Sequence, residues 1–480
     1  MLFNRLISLI SAAVLCCSVL NTAVAQRDLN LPSIGEPADR FLSPTDERIQ
    51  GARFYRSLQR QNAIVDDPEI SQYLRYLGYD LLSGADDPLF SYQFFMVRDG
   101  RINAFAVPGG YIGINYGLFL RTRNENELAG VVAHEIAHVS QRHIARQIAQ
   151  ASASQVPSLG AFLTGLLLAI GGAPEAGTAL IYAGSAASIQ RSINFTRLHE
   201  AEADRVGIKI LHNAGYDPRG MANFFQVLQQ ERRVTANSQF DFLRTHPLDI
   251  NRISEANDRI ARLRPQSRPD SKSYQYIKAR IAALAVDDPA ALAREIKRTT
   301  GLKTRQDRYR YAEALSVARE WDDAEAVLDE LRKEDPESVV YMLALARIAD
   351  QRGYIDKHLT SFKELHAIYP DFYPLTVYYA DALRESGQPE ACLNLLSRLE
   401  RNDDPATLSF YRLQAECHAD AEEPIASKQS LAEYYFRKGN LLAAATQLRD
   451  ALRLKPTSVF VEREIKDYLV MIEEEIDQTG

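Results

Sequence analysis

His134-Glu135-Ile136-Ala137-His138 is the most informative segment of this 480-residue chain. The residues just before it are mostly apolar, and their spacing predicts a helix with a buried face. Positions i and i+4 of a helix share a face, so His134 and His138 can bind one ion with Glu135 beside them. Zinc binds imidazole and lowers the pKa of bound water to about 7. The segment therefore predicts zinc ligands in His134 and His138, and a general base in Glu135.

The segment His199-Glu200-Ala201-Glu202-Ala203-Asp204 is the best source of a third ligand. Glu200 and Asp204 are four residues apart and share a helix face. We expect Glu200 to bind the metal and Asp204 to orient a ligating histidine. Glu202 lies roughly 200° around the helix from Glu200 and points away. His199 is the alternative third ligand.

Two long helices are predicted to carry these motifs. The first begins near Asn124, which forms a loose capping box with Glu127, and continues to about Gln150. In one continuous helix, His143 lies on the face opposite His134, which predicts a structural role for His143. The second helix is predicted over residues 192–214.

A small β-sheet is predicted ahead of the first of these helices. Residues 92–97 are rich in β-forming side chains, and residues 102–107 and 111–115 read as two strands around Pro108-Gly109-Gly110. The first 265 residues therefore predict helices with a sheet of about three strands.

The N-terminus has the features of a secretory signal peptide. Arg5 precedes an apolar run that ends before Ala23-Val24-Ala25, a small-x-small cleavage pattern. Residues 1–25 are the predicted signal peptide, with an uncleaved membrane anchor as the alternative. Cleavage would leave Cys392 and Cys417, which form either a disulfide or two unpaired core thiols.

Residues 156–189 form an apolar segment rich in glycine and alanine, with Glu175 as its only charge. Its longest apolar run, 159–170, is too short to span a bilayer. Three interpretations stay open: a flexible cover over the active site, core packing, and peripheral contact with a membrane.

Residues 270–480 are a series of amphipathic helices without strand signals. Pro336, Pro370 and Pro405 are 34 and 35 residues apart, the period of tetratricopeptide repeats. Such repeats stack into a solenoid with a concave binding surface, and a generic helical bundle is the alternative. The whole chain is thus predicted to be mainly α with a small β-sheet. A metalloprotease domain (26–265) is followed by a repeat domain (270–480). The net charge of -7 argues against nucleic acid as a partner.

HEIAH followed about sixty residues later by ExxxD resembles the gluzincin metalloproteases that include the CAAX prenyl proteases and the heat-shock membrane protease. NAFAVPGGYIGINYGLF (103–119) is similar to the substrate-side edge strand and turn of that group. The resemblance implies one Zn²⁺ per chain and a substrate bound in extended form along Asn103, Ala104 and Phe105.

Thr245-His246-Pro247 also resembles a pattern of these proteases, with Arg252 six residues beyond His246. The resemblance implies that His246 faces the zinc. It could be a fourth ligand that keeps the enzyme inactive, a donor to the oxyanion, or only a turn residue. Arg252 is expected to stabilise the same oxyanion.

With the signal peptide and the repeats, the chain resembles periplasmic members of this group. The resemblance implies a periplasmic zinc metalloendopeptidase with chaperone-like activity in the assembly and quality control of outer-membrane β-barrel proteins. Its expected partners are unfolded or stalled barrels, including the lipopolysaccharide transport barrel, and the β-barrel assembly machinery through the repeat domain. The alternative is an assembly chaperone or adaptor whose protease domain is mostly latent.

Overall fold

The computed structural model describes residues 37–86, 89–152, 165, 186–234, 242, 246–247, 250–401 and 407–479. The predicted signal peptide and most of the apolar segment 156–189 lie outside these residues. The chain is mainly helical and has a small sheet, as predicted. The elements that precede the helical repeats are, in chain order, α1 (Pro44–Arg60), α2 (Pro68–Leu82), β1 (Gln93–Val97), β2 (Ala104–Val107), β3 (Tyr111–Asn115), α3 (Tyr116–Arg121), α4 (Glu125–Ser140), α5 (His143–Ser152), α6 (Ala186–Asn213), α7 (Arg219–Val234) and α8 (Ile250–Ile260).

The three strands form one sheet in the order β1-β3-β2. β1 runs parallel to β3, whereas β2 runs antiparallel to it. Gly109 and Gly110 make the turn between β2 and β3 with φ values of 83° and 94°, a region that favours glycine. Because the strand order is β1-β3-β2, β2 lies at one edge of the sheet in the described part of the chain. Asn103 precedes the first residue of β2, and its carbonyl accepts a hydrogen bond from the backbone N–H of Asn115 at 3.0 Å.

The predicted single helix from Asn124 to about Gln150 is wrong, because α4 ends at Ser140 and α5 begins at His143. Asn124 does cap α4, since its side chain accepts a hydrogen bond from the backbone N–H of Glu127 at 3.0 Å. The two helices are separated by a turn that the apolar periodicity does not reveal.

Arg142 produces this break. Its φ of 50° is left-handed, which costs roughly 1–2 kcal/mol for a residue with a side chain. Its buried guanidinium donates to Glu47 Oε1 and to the carbonyl of Leu42, each at 2.8 Å, and it also pairs with Asp39. Contacts with a distant part of the chain therefore offset the free-energy cost of the left-handed backbone at Arg142.

α6 and α7 pack closely on α4. A Cβ atom on Gly130 would lie 2.8 Å from the backbone of Met221, and one on Gly207 would lie 3.2 Å from the backbone of Ala133. These glycines let the backbones of α6 and α7 approach the helix that carries the HExxH motif. α6 is the predicted second helix, and it begins at Ala186, six residues earlier than expected.

The rest of the chain forms successive helices, most of which pack on the next one in the chain, so that the helical layers build a solenoid. These helices are α9 (Lys272–Leu284), α10 (Pro289–Thr300), α11 (Arg305–Val317), α12 (Trp321–Glu334), α13 (Val339–Arg352), α14 (Leu359–Ile368), α15 (Tyr373–Glu385), α16 (Pro389–Arg401), α17 (Leu408–Asp420), α18 (Pro424–Arg437), α19 (Leu441–Arg453) and α20 (Val459–Thr479). The Sγ atoms of Cys392 on α16 and Cys417 on α17 are bonded, with Cα atoms 6.3 Å apart.

α9 belongs to two hydrophobic cores at once. Tyr274 stacks on Phe119 with ring centroids 5.6 Å apart and donates to the carbonyl of Thr122 at 3.0 Å. Ile277 also packs in the core of the first part, whereas Ala279 packs with the first helices of the solenoid. The start of the solenoid is thus built on the helices around the HExxH motif.

Buried charges cross the same junction. Arg347 on α13 pairs with Glu69 on α2 and with Glu313 on α11. Arg280 on α9 donates to Asp67, which caps α2, at 2.6 Å, and to Glu313 at 3.2 Å. Burial raises the pKa of Glu69. Among the described residues, none of the helices is long and apolar enough to cross a membrane.

Candidate active site

α4 places the two histidines of the HExxH motif on one face, where His134 is buried and His138 is partly exposed. His134 has none of its surface exposed, and Glu135 has 1% exposed. The ring centroids of His134 and His138 are 4.7 Å apart, and their Nε2 atoms are 3.1 Å apart. One turn of helix therefore presents both Nε2 atoms to the same point.

Four side chains meet at that point: His134, His138, Glu200 and His246. One ligand atom from each can be chosen so that all lie within 4.8 Å of one another. Glu200 lies 3.4 Å from the Nε2 atoms of both HExxH histidines and 3.0 Å from Nδ1 of His246. Ligands 2.0–2.1 Å from a tetrahedral ion are roughly 3.3 Å apart, so these distances fit a single metal ion.

The carboxylate of Glu200 is in the protonation state that a metal ligand requires. Burial alone would raise its pKa, but His246, His134 and His138 hold that pKa well below the usual range. Burial lowers the pKa of His138 well below its usual value, which favours the neutral imidazole. Metal ligands of these types must be deprotonated, so the pKa directions of Glu200 and His138 agree with the geometry. Burial alone would lower the pKa of His134, but its hydrogen bonds with Asp204 and Glu200 raise that pKa to about 9, so metal binding has to displace a proton from this ring.

Asp204 lies one helical turn beyond Glu200 and faces the other side of the His134 ring. Its Oδ1 is 3.0 Å from Nδ1 of His134, whose Nε2 faces the cluster. Burial would raise the pKa of Asp204, but the hydrogen bonds of His134 and Arg252 lower it. A carboxylate at this position can fix the ring and its tautomer, and that role of Asp204 stays a prediction.

Arg252 on α8 is buried and pairs with Glu200 and Asp204 of α6. It donates to Asp204 through Nε and Nη2, each at 2.8 Å, and its Nη1 lies 2.9 Å from Glu200. Nη1 also donates to the carbonyl of Pro247 at 2.9 Å. The structure therefore directs Arg252 to these acceptors, which differs from the predicted oxyanion role. No local sequence signal links α8 to α6.

His246 approaches the cluster through Nδ1, which is 3.3 Å from Nε2 of His134. Its Nε2 is 3.4 Å from Glu135, and its ring stacks on Phe242 with centroids 4.6 Å apart. His246 has 7% of its surface exposed. It thus lies where a fourth ligand would lie.

Glu135 stands beside the cluster. Neither of its carboxylate oxygens has a hydrogen-bond partner among the described residues. Burial raises the pKa of this carboxyl, whereas the imidazoles of His246 and His134 and the backbone of Ala106 act in the opposite direction. A buried acceptor without a partner is costly, so its presence indicates that a ligand or water completes the site.

The expectation that His143 lies on the opposite face is wrong. The break at Arg142 turns α5 back, so Nδ1 of His143 is 2.9 Å from Nδ1 of His138. The ring of His143 stacks on His199 with centroids 4.1 Å apart, and burial lowers its pKa to about 4. Its Nε2 is 3.2 Å from Glu202. His199 is not among the four clustered side chains.

The Peptidase family M48 model matches residues 69–260, which include every residue of this cluster. The beta-barrel assembly-enhancing protease of Yersinia pestis is 31% identical over 372 residues, which are 77% of this chain and 76% of that one. The protein of that name from Escherichia coli K12 is 29% identical over 425 residues, 88% and 86% of the two chains. A Vibrio cholerae protein, provisionally given the same name, is 36% identical over 405 residues and 83% of both chains.

These matches agree with the geometry of the cluster. The four donors suit a metal ion, and Glu135 lies beside them, 3.4 Å from Nε2 of His246. The chain therefore belongs to peptidase family M48 and, within it, to the beta-barrel assembly-enhancing proteases.

Proposed function

We propose that this protein is a periplasmic zinc metalloendopeptidase that acts in the assembly and quality control of outer-membrane β-barrel proteins. The observation that carries the proposal is the buried cluster of His134, His138, Glu200 and His246 with Glu135 beside it. The names of the relatives support the connection with barrel assembly. One Zn²⁺ per chain is proposed, because imidazole and carboxylate ligands in tetrahedral spacing suit that ion.

When bound, zinc would polarise the scissile carbonyl and lower the pKa of a water molecule to about 7. His134, His138 and Glu200 are the proposed protein ligands. Glu135 accepts the proton of the attacking water and later donates it to the leaving amine. Its buried carboxylate supports this role because it lies beside the proposed ligands, 3.4 Å from Nε2 of His246.

The substrate is proposed to add a strand to β2. The carbonyl of Asn103 faces β3, so alternation along an antiparallel strand directs the backbone groups of Ala104 and Ala106 away from β3. Ala106 also influences the carboxyl of Glu135 through its backbone N–H. An extended peptide paired with this edge, including the predicted Asn103–Phe105 stretch, would therefore pass beside the general base. Unfolded barrel proteins suit this mode because they are rich in unpaired strands.

The division into a signal peptide (1–25), a protease domain (26–265) and tetratricopeptide repeats (270–480) completes the proposal. The signal peptide would deliver the chain to the periplasm. The repeats would bind the β-barrel assembly machinery and stalled barrels, including the lipopolysaccharide transport barrel. The apolar segment 156–189 is proposed as a cover over the site or a peripheral membrane contact.

A second candidate function is an assembly chaperone or adaptor with a mostly latent protease. The position of His246 favours it, because a fourth protein ligand would displace the water that hydrolysis needs. In this case the solenoid would act as the chaperone or adaptor by binding the client proteins, and peptide cleavage would be rare.

A Glu135→Gln variant in a deletion strain separates the two functions. If hydrolysis is the main task, the variant should fail to restore barrel assembly although it is expressed at the normal level. Full restoration would instead support the chaperone. Glu320→Gln, at the exposed N-cap of α12, is the matched control because it makes the same chemical change outside the cluster. Metal analysis and digestion of unfolded barrel protein should be carried out on the unmodified protein as well. We expect it to contain one zinc per chain and to show cleavage that a chelator abolishes.

A further inference from the structure

The two HExxH histidines are supported in different ways. Nδ1 of His134 faces the carboxylate of Asp204 directly at 3.0 Å. Nδ1 of His138 faces another imidazole, Nδ1 of His143, at 2.9 Å. The second contact exists only because the turn at Arg142 brings the start of α5 back against the end of α4.

The hydrogen-bond roles in this second contact follow from the requirements of metal binding. If His138 binds a metal through Nε2, its Nδ1 carries the proton and donates it. Nδ1 of His143 must then accept, so the proton of His143 is on Nε2. That atom is 3.2 Å from a carboxylate oxygen of Glu202, which can accept it.

Glu202 is itself held in place by a second partner. Its carboxylate accepts a hydrogen bond from Nη1 of Arg146 at 2.8 Å. A chain of hydrogen bonds therefore connects Arg146, Glu202, His143 and His138. Metal binding by Nε2 of His138 determines which atom donates and which accepts in each of these bonds. Stacking of His199 on His143, with ring planes 8° apart, further restricts the orientation of the middle ring.

We propose that His143 and Glu202 are positioning residues that hold the His138 ring and its tautomer for metal binding. They would do for His138 what Asp204 does for His134, with one imidazole inserted between carboxylate and ligand. The proposal rests on the proposed metal site. His143 would not itself bind the metal, because it faces the Nδ1 side of His138, away from the cluster.

The test measures the affinity of the full-length mature protein for Zn²⁺ by competition with a chelator. His143→Leu fills a similar volume but cannot accept a hydrogen bond, and we expect zinc affinity to fall about 10–100-fold. His143→Asn places an amide oxygen near the position of Nδ1 and should restore much of the loss. Glu202→Ala should weaken zinc binding in the same direction.

Substitution of Zn²⁺ by Co²⁺ gives a second readout, because the cobalt absorption spectrum reports ligand geometry. His143→Leu should change that spectrum and His143→Asn should change it less. Glu202 is only partly buried, so its variant tests the proposal even if His143→Leu does not fold. A zinc affinity within twofold of that of the unmodified protein, in folded His143→Leu and in Glu202→Ala, would overturn the proposal. Absence of zinc from the unmodified protein would instead refute the proposed function.

Discussion

The side chains around Glu135 occupy one small volume, yet their removal should have different consequences. His134, His138 and Glu200 have ligand atoms directed at a common point, whereas Glu135 stands beside it. His199 lies outside the cluster and stacks on His143. Metal content and cleavage, measured separately, can distinguish these positions.

We expect His134→Ala, His138→Ala and Glu200→Ala each to lose zinc, because each removes one of three protein ligands. Glu135→Gln should keep zinc and lose cleavage, because an amide cannot accept the proton of the water. Elemental analysis and a casein digestion assay measure the two properties. Full zinc content in Glu200→Ala would assign the third ligand to another residue.

Whether His246→Ala raises or lowers the rate of proteolysis depends on the role of His246. Nδ1 of His246 is 3.0 Å from Glu200 and 3.3 Å from His134, so it can complete the coordination of the ion. We therefore predict that His246→Ala keeps zinc and raises basal proteolysis and self-cleavage.

A time course of casein cleavage and of self-cleavage, at equal zinc content, measures this effect. If His246 instead donates to the oxyanion, turnover should fall by about 10²–10³. A fall of that size would refute the inhibitory role of His246.

At the scale of secondary-structure elements, the pairing of α16 with α17 can be tested through its cysteines. The bond between Cys392 and Cys417 closes a loop with a sequence separation of 25 residues. The native protein, denatured without reduction, should expose no free thiol to an alkylating reagent.

Reduction should lower the free energy of unfolding by about 3 kcal/mol. Breaking the bond that closes a loop of this length raises the conformational entropy of the unfolded chain and so stabilises the unfolded state. Urea unfolding with and without reductant measures this change. A Cys392→Ser and Cys417→Ser double variant is the control, since reductant should not affect it. Two alkylated thiols in the native protein would show that the bond is absent.

For the molecule as a whole, the buried charges between α2, α11 and α13 join the solenoid to the helices of the protease site. Arg347 has 4% of its surface exposed and pairs with Glu69 and Glu313. We expect Arg347→Met to destabilise the protein by about 3–5 kcal/mol, because it leaves buried carboxylates with less positive charge nearby.

The midpoint and slope of urea unfolding measure this loss. Arg298→Met is the matched control, since it removes an exposed arginine that pairs with Glu295 within α10. Surface pairs of this kind contribute little to stability because water screens their charges. Equal effects of the two substitutions would refute a structural role for the buried charges at the junction.

Local patterns were sufficient for much of the fold. The HExxH spacing places two imidazoles on one face of any helix, and glycines between two β-forming segments produce the β2–β3 turn. The spacing of Glu200 and Asp204 likewise places both on one face of α6. These predictions hold because the geometry of a helix or a tight turn depends on neighbours in the sequence.

The other features of the fold and of the site depend on contacts between distant segments of the chain, which local sequence patterns do not reveal. Arg142 takes a left-handed conformation because Glu47 and Asp39 hold its guanidinium, and no periodicity near residue 142 shows this. The same turn moves His143 from the predicted opposite face to a position beside His138. Arg252 meets Asp204 only when α8 packs against α6.

The sequence by itself therefore determined the type of chemistry, since metal-binding residue types at helical spacing have few other uses. Only the tertiary structure decided which side chains support each ligand and how the solenoid is attached. Those arrangements depend on the burial of charged groups, which is favourable only when partners from separate segments arrive together. Arg347, which pairs with Glu69 278 residues away, is one such case.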